Sequence, residues 1–260
     1  MELVYPAVIR AARLMFRALD LRITITGAEH IPSTGGAVLA SNHVSYLDFI
    51  FSGLAGVERG RLTRFMAKHE AFAHRVGGPL MRGMHHIPVD RDAGSASFRA
   101  AIQALKGGEV VGVFPEATIS RSFTVKEIKS GAVRLAMATR TPLIPVAVWG
   151  TQRLLTKDLP RDLKTRGRAI TIAVGEPIPA TRGEDADALS VQLRARMQAL
   201  LDEAQRVHPD QPVPGEDAPW HPRHLGGTAP TPERARELDQ AEREARAARH
   251  RERTADTSGG

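Results

Sequence analysis

Two periods alternate along most of the chain. Residues 3–19, LVYPAVIRAARLMFRAL, place Val4, Val8, Ala11, Ala12, Met15 and Leu19 at three- and four-residue steps, with Arg10, Arg13 and Arg17 on another face. That spacing predicts an amphipathic helix. Pro6 falls in its first turn, where proline is tolerated. LRITIT (21–26) then alternates with a period of two and reads as a strand, and AVLAS (37–41), which opens with the apolar run AVLA, reads as a buried strand. A helix is predicted from Ser45 to about Leu54. Strand-like runs follow at 64–68, 86–89, 109–115, 142–150 and 169–178. Helical spacing appears at 95–106, 131–139 and 188–205. This succession predicts an α/β fold with a largely parallel or mixed central sheet flanked by helices.

The pattern changes after residue 206. Val207–Pro230 is rich in proline and glycine, a linker composition. Residues 231–253 have helical character, with Thr231 as N-cap and acids preceding arginines. Leu238 is almost the only large apolar residue there, which predicts a charged, partly helical or disordered tail. The expected organisation is an amphipathic helix (1–20), one catalytic-size domain (21–206) and a linker with tail (207–260).

Charge narrows the partners. The formal net charge is +7, and residues 1–215 alone carry +8. A basic surface attracts polyanions, including anionic lipid and phosphorylated substrates. Aromatic residues are only 5% of the chain, too few to favour base stacking, so nucleic acid is not an expected partner. With no cysteine there is neither a disulfide nor a thiolate nucleophile. No run reaches the ~18 apolar residues that span a bilayer. Glu2 and the lack of a basic n-region argue against a secretory signal. The expected location is cytoplasmic, peripheral on the inner face of the cell membrane. The first helix can pack on its own domain, lie on an anionic membrane surface, or do both.

Candidate chemistry centres on SNHVSYLDFI (41–50), with Asn42, His43 and Asp48 set in apolar flanks. Five residues of continuous helix turn the side chains about 140° apart, and in a strand they face opposite ways. The pair can meet only if the chain changes conformation between them. AVLAS reads as a strand and Ser45-Tyr-Leu-Asp48 has the form of a capping box, so His43 would occupy the strand-to-helix loop. Ligands bind at such loops in open α/β sheets. Two readings stand: a cap plus a loop hydrogen bond, or a histidine general base oriented by the aspartate. No Gly-x-Ser-x-Gly elbow is present, so the nucleophilic hydroxyl would come from a substrate.

Three further stretches bear on the choice. HHIPVDR ends in Arg91 just past a short strand. VFPEATISRS carries Glu116, Thr118 and Arg121, and PLIPVAVWG carries Pro145. Their order and spacing resemble the four blocks of the 1-acyl-glycerol-3-phosphate acyltransferase family. The first block is Asn-His-x4-Asp, matched by Asn42, His43 and Asp48. The second ends in an arginine, matched by Arg91. The third is Phe-Pro-Glu-Gly-Thr-Arg-Ser, and the fourth is a proline in an apolar strand. The resemblance covers roughly residues 20 to 180.

It implies transfer of a fatty acyl group from an acyl thioester donor, carried by coenzyme A or acyl carrier protein, to a lysophospholipid acceptor, with no metal or other cofactor. His43 would be the base and Asp48 its partner. Arg91, Glu116, Thr118 and Arg121 would serve the acceptor, with Asn42, Ser45 and Pro145 in support. Two blocks depart from the family. His85 stands where the second has glycine. In the third, Ala117 replaces glycine, and Ile119-Ser120 separates Thr118 from Arg121.

The rival readings are acylation of another lyso-lipid or a glycolipid, and a non-catalytic protein binding anionic lipid or nucleic acid. HEAFAH (69–74) is not a zinc-protease helix, because its histidines are five residues apart rather than four. Neither a Walker loop nor a Gly-x-Gly-x-x-Gly fingerprint occurs.

Overall fold

The computed structural model describes residues 4–75, 77–89 and 94–258. Arg91 lies outside them. In chain order the elements are α1 (Val4–Ala18), β1 (Arg22–Thr26), β2 (Ala37–Ser41), α2 (Asp48–Glu58), β3 (Thr63–Lys68), α3 (His69–Ala73), α4 (Gly77–Gly83) and β4 (Ile87–Val89). There follow α5 (Gly94–Lys106), β5 (Val110–Val113), α6 (Gly131–Thr139), β6 (Leu143–Trp149), β7 (Ala169–Val174), α7 (Ala186–Arg206) and α8 (Pro232–Ser258).

Two compact units form: Met1–Ile119 with Val125–Gln211, and Ser120–Thr124 with Pro212–Gly260. The first holds a seven-stranded sheet in the order β1-β7-β6-β2-β5-β3-β4. Neighbours are parallel except β6 and β7. The fold is therefore α/β with a mixed, mainly parallel sheet, as the alternating periods predict. All five residues of β2 are buried, which is why the strand reads as an apolar run closed by Ser41. Pairing of Ala40 with Val113 and of Ser41 with Val146 brings the carboxyl end of β2 beside those of β5 and β6.

Pro145 stands inside β6, where a proline would remove a ladder hydrogen bond. The register explains its tolerance. Its carbonyl accepts from Gly175 N–H at 2.9 Å, yet Leu143 already pairs with Ile178. Ile144 on β6 thus opposes both Glu176 and Pro177, a bulge that adjoins the Pro145–Gly175 pair and interrupts the ladder there.

The face of α1 differs from the predicted stripe. Its buried anchors are Tyr5 and Phe16, while Met15 and Leu14 are exposed. Tyr5 Oη donates to the Thr63 carbonyl at 2.8 Å, and Phe16 stacks on Phe51 of α2 at 5.0 Å. Val4, Val8, Ala12 and Leu19 of the stripe are half-buried beside these rings, so the buried side overlaps the stripe and is rotated toward Tyr5 and Phe16. Helix α2 begins at Asp48, three residues later than predicted. The Ser45 hydroxyl donates to the Leu155 carbonyl and accepts from Leu47 N–H, so only half of the capping box forms. The short helices α3 and α4 are too brief to show a period; His69 opens α3 and His74 closes it.

In the second unit the tail forms α8. Thr231 caps it, accepting from Arg234 N–H at 3.2 Å. The unit starts at Pro212 rather than Val207 and includes the segment 120–124.

Candidate active site

The loop between β2 and α2 is built around one buried carboxylate. Asp48 Oδ2 accepts from the Val44 and Ser45 backbone N–H groups, both at 2.7 Å, and faces His43 Nδ1 at 3.0 Å. Its Oδ1 accepts from Thr151 Oγ1 at 2.6 Å. Two lone-pair-rich oxygens thus meet four donors, and the side chain is fully buried. The carboxylate can only accept, so Nδ1 carries the proton and Nε2 keeps its lone pair. A fixed tautomer with Nε2 basic is the arrangement a general base requires.

Thr151 reaches Asp48 because the chain turns sharply after β6. Gly150 makes that turn at φ +97°, and a Cβ there would lie 2.2 Å from the Ala169 carbonyl oxygen. No other residue type fits.

Asn42 closes the opposite side. Its Nδ2 donates to the Val148 carbonyl at 3.0 Å, and its Oδ1 accepts from Val148 N–H at 2.7 Å. A side-chain amide thus continues the ladder between β2 and β6 one step past Ser41. Ser45 ties the same loop to Leu155, and Thr156 Oγ1 donates to the Val44 carbonyl at 2.6 Å. Pro145 supports β6 from within the sheet.

The imidazole of His43 lies on Phe114, ring centroids 4.5 Å apart, and Phe114 lies on Phe65 at 5.8 Å. Two residues on, Glu116 is buried and clamps two backbones. Oε1 accepts from His43 N–H at 2.8 Å, and Oε2 from Lys126 N–H at 2.9 Å. Burial pushes its carboxyl up to about 7, against the lowering effect of those two N–H groups. Thr118 Oγ1 accepts from Lys126 Nζ. Among the described residues, no group of three or more His, Cys, Asp or Glu is placed to hold a metal ion.

Comparison with known proteins bears on what this site does. A sequence model of the acyltransferase family, described as Acyltransferase, matches residues 22–149. The 1-acyl-sn-glycerol-3-phosphate acyltransferase of Bacillus subtilis is 32% identical over 163 residues, spanning 62% of this chain and 76% of that protein. The chain belongs to the 1-acyl-sn-glycerol-3-phosphate acyltransferase family. It is an O-acyltransferase. The enzyme of the same name from Borreliella burgdorferi is 26% identical over 145 residues, 54% of this chain and 56% of that protein. The crystal structure of the 1-acyl-sn-glycerophosphate (LPA) acyltransferase of Thermotoga maritima superposes with a TM-score of 0.64 over 79% of this chain and 81% of that one. At 21% identity, that likeness concerns the fold.

Of the family's blocks, the first and the opening of the third meet in the first unit, while Arg91 of the second lies outside the described residues. His43, Asp48, Asn42, Ser45, Glu116 and Thr118 are gathered in the first unit. Arg121 belongs to the second unit, where its guanidinium is paired with Asp239 and, at 2.9 Å, with Glu242. Both departures from the family's glycines stand in the left-handed region, His85 at φ +55° and Ala117 at φ +61°. The backbone shape that glycine suits is kept, with a side chain carried at a steric penalty of about 1–2 kcal/mol. Thr151, Phe114 and Lys126 escape the sequence reading. Thr151 lies 103 positions from its partner Asp48. The only local hint of it is Gly-Thr just after an apolar strand.

Proposed function

We propose that the protein moves a fatty acyl group from an acyl thioester to the free hydroxyl of 1-acyl-glycerol-3-phosphate, giving phosphatidic acid. The observation carrying this reading is the His43 Nδ1 to Asp48 Oδ2 contact at 3.0 Å, which leaves Nε2 as the basic atom. In the step, Nε2 takes the proton of the acceptor hydroxyl as its oxygen attacks the thioester carbonyl. An ester C–O bond forms and the C–S bond breaks. The departing thiolate receives the proton back from the imidazolium, so the residue is regenerated. Asp48 stabilises the imidazolium without itself taking the proton. The donor is a thioester of coenzyme A or acyl carrier protein, since a thiolate leaves readily. The names of the relatives support the acceptor. Arg91 is proposed to contact its phosphate.

The reaction is proposed to occur at the inner face of an anionic membrane. No described helix is long and apolar enough to cross one. Support for surface binding comes from α1, whose exposed residues include Leu14 and Met15 beside Arg10, Arg13 and Arg17.

Thiol release from acyl-coenzyme A in the presence of lysophosphatidate tests the reading. His43→Ala should lose a factor of ~10²–10⁴ in rate while keeping its melting temperature. Asp48→Asn should lose rate too, because an amide cannot accept from all four donors. Activity of His43→Ala within twofold of the parent would overturn the mechanism.

A further inference from the structure

In the family's third block an arginine follows the threonine directly. Here that residue is Ile119, 2% exposed. The next arginine, Arg121, lies in the other unit with its guanidinium on Asp239 and Glu242. The cation that reaches Thr118 comes from farther along the chain. Lys126 Nζ donates to Thr118 Oγ1 at 2.5 Å.

The position of Lys126 is built in from three directions. Its N–H donates to Glu116 Oε2 at 2.9 Å, and the other oxygen of that carboxyl holds His43 N–H. Lysine and histidine backbones are therefore one carboxyl group apart. From α7, Arg194 donates to the carbonyls of Lys126 and Val125 at 2.9 and 3.1 Å. Gln198 accepts from Val125 N–H at 2.8 Å. These contacts fix the Lys126 backbone, and the Thr118 hydrogen bond holds the ammonium beside the loop that carries Glu116 and Thr118. Side chains held on such a supported backbone lose little freedom when a ligand arrives.

We propose that Lys126 is a specificity-determining residue that selects a phosphorylated acceptor. Its ammonium binds the acceptor phosphate next to Thr118 while the acceptor hydroxyl lies at His43 Nε2. The Thr118 hydroxyl accepts from the ammonium and donates its own proton to a phosphate oxygen, so both groups are used. An ammonium suits this as a compact charge with strong, charge-assisted hydrogen bonds. The inference rests on the lysophosphatidate reading given above.

Steady-state kinetics on the full chain test it, with acyl-coenzyme A or acyl carrier protein as donor. Two acceptors are compared, lysophosphatidate and the phosphate-free monoacylglycerol. Lys126→Gln should raise the lysophosphatidate KM about tenfold to a hundredfold, the worth of a hydrogen bond to a charged group. The donor KM should stay within twofold, and the preference for the phosphorylated acceptor should fall by the same factor. Lys126→Arg should recover most of the loss, because the charge returns. Glycerol 3-phosphate should inhibit the parent more strongly than Lys126→Gln. If the parent acylates lysophosphatidate and Lys126→Gln leaves that KM unchanged, the inference fails and the functional reading stands. An equal fall with both acceptors, unrescued by arginine, also overturns it, since that marks a purely structural lysine. A parent that acylates other acceptors and never lysophosphatidate overturns the functional reading and the inference together.

Discussion

Glu116 shows how one buried side chain joins the chemistry to stability. Its carboxyl clamps the backbones of His43 and Lys126, and burial lifts it from an ordinary 4.5 to about 7. Between those values the folded protein holds a proton that the unfolded chain has released. The contribution of Glu116 to stability is therefore full below pH 4.5 and is lost as pH rises toward 7, after which it is level. The total change is roughly 3 kcal/mol. Glutamine does not titrate. Urea melts of the parent and Glu116→Gln at a series of pH values should show their stability difference shifting against the parent across this window. A difference independent of pH would mean that Glu116 stays ionised throughout. At this scale the sequence is most legible where partners are close. His43 and Asp48 share one ten-residue stretch, and only a strand-to-helix break lets them meet. Thr151 and Lys126 are brought in by the ends of β6 and by the Glu116 clamp, and no local spacing encodes either.

Elements were legible where one face or the whole element is buried in a clear period, and less so where two apolar faces compete. β2 falls on its predicted residues because it is buried along its whole length, and α6 does so because its buried Ala132, Val133, Leu135 and Ala136 recur at helical spacing. Ala117 and His85 mislead for a different reason. Neither residue type announces a left-handed backbone, yet both adopt one. In α1 the aliphatic stripe gives the period correctly, but the rings of Tyr5 and Phe16 choose the inward side. That choice leaves Leu14 64% and Met15 37% exposed, among arginines. Burying a leucine side chain in lipid is worth about 1.5–3 kcal/mol, and arginines add attraction that salt screens over ~10 Å at 0.1 M. Replacing Leu14 and Met15 together by glutamate should sharply reduce flotation with phosphatidylglycerol vesicles and leave the melting temperature nearly unchanged. Parent recovery should also fall with added salt. Undiminished flotation of the variant would assign α1 to packing alone.

At the scale of the whole molecule, the chain gives one segment of its third block to a second unit. Ser120–Thr124 folds with Pro212–Gly260, and Arg121 is the charged residue it contributes. The guanidinium and Asp239 are each 9% exposed as side chains, so this pair is largely out of water, while Glu242 is a third exposed. The charged composition of the tail gave no warning of this. A helix with few apolar residues reads as solvated, and its acids find their partner more than a hundred residues away. Removing one member of a buried pair leaves the other charge uncompensated, at about 3–5 kcal/mol. Arg121→Ala should therefore loosen α8, seen as faster trypsin cleavage after its arginines, with the acceptor KM within twofold of the parent. Pairing it with Asp239→Ala should restore part of the protection, because the stranded carboxylate is then gone. The alternative outcome is equally readable. A tenfold rise in acceptor KM with α8 as protected as in the parent would overturn this structural role for Arg121.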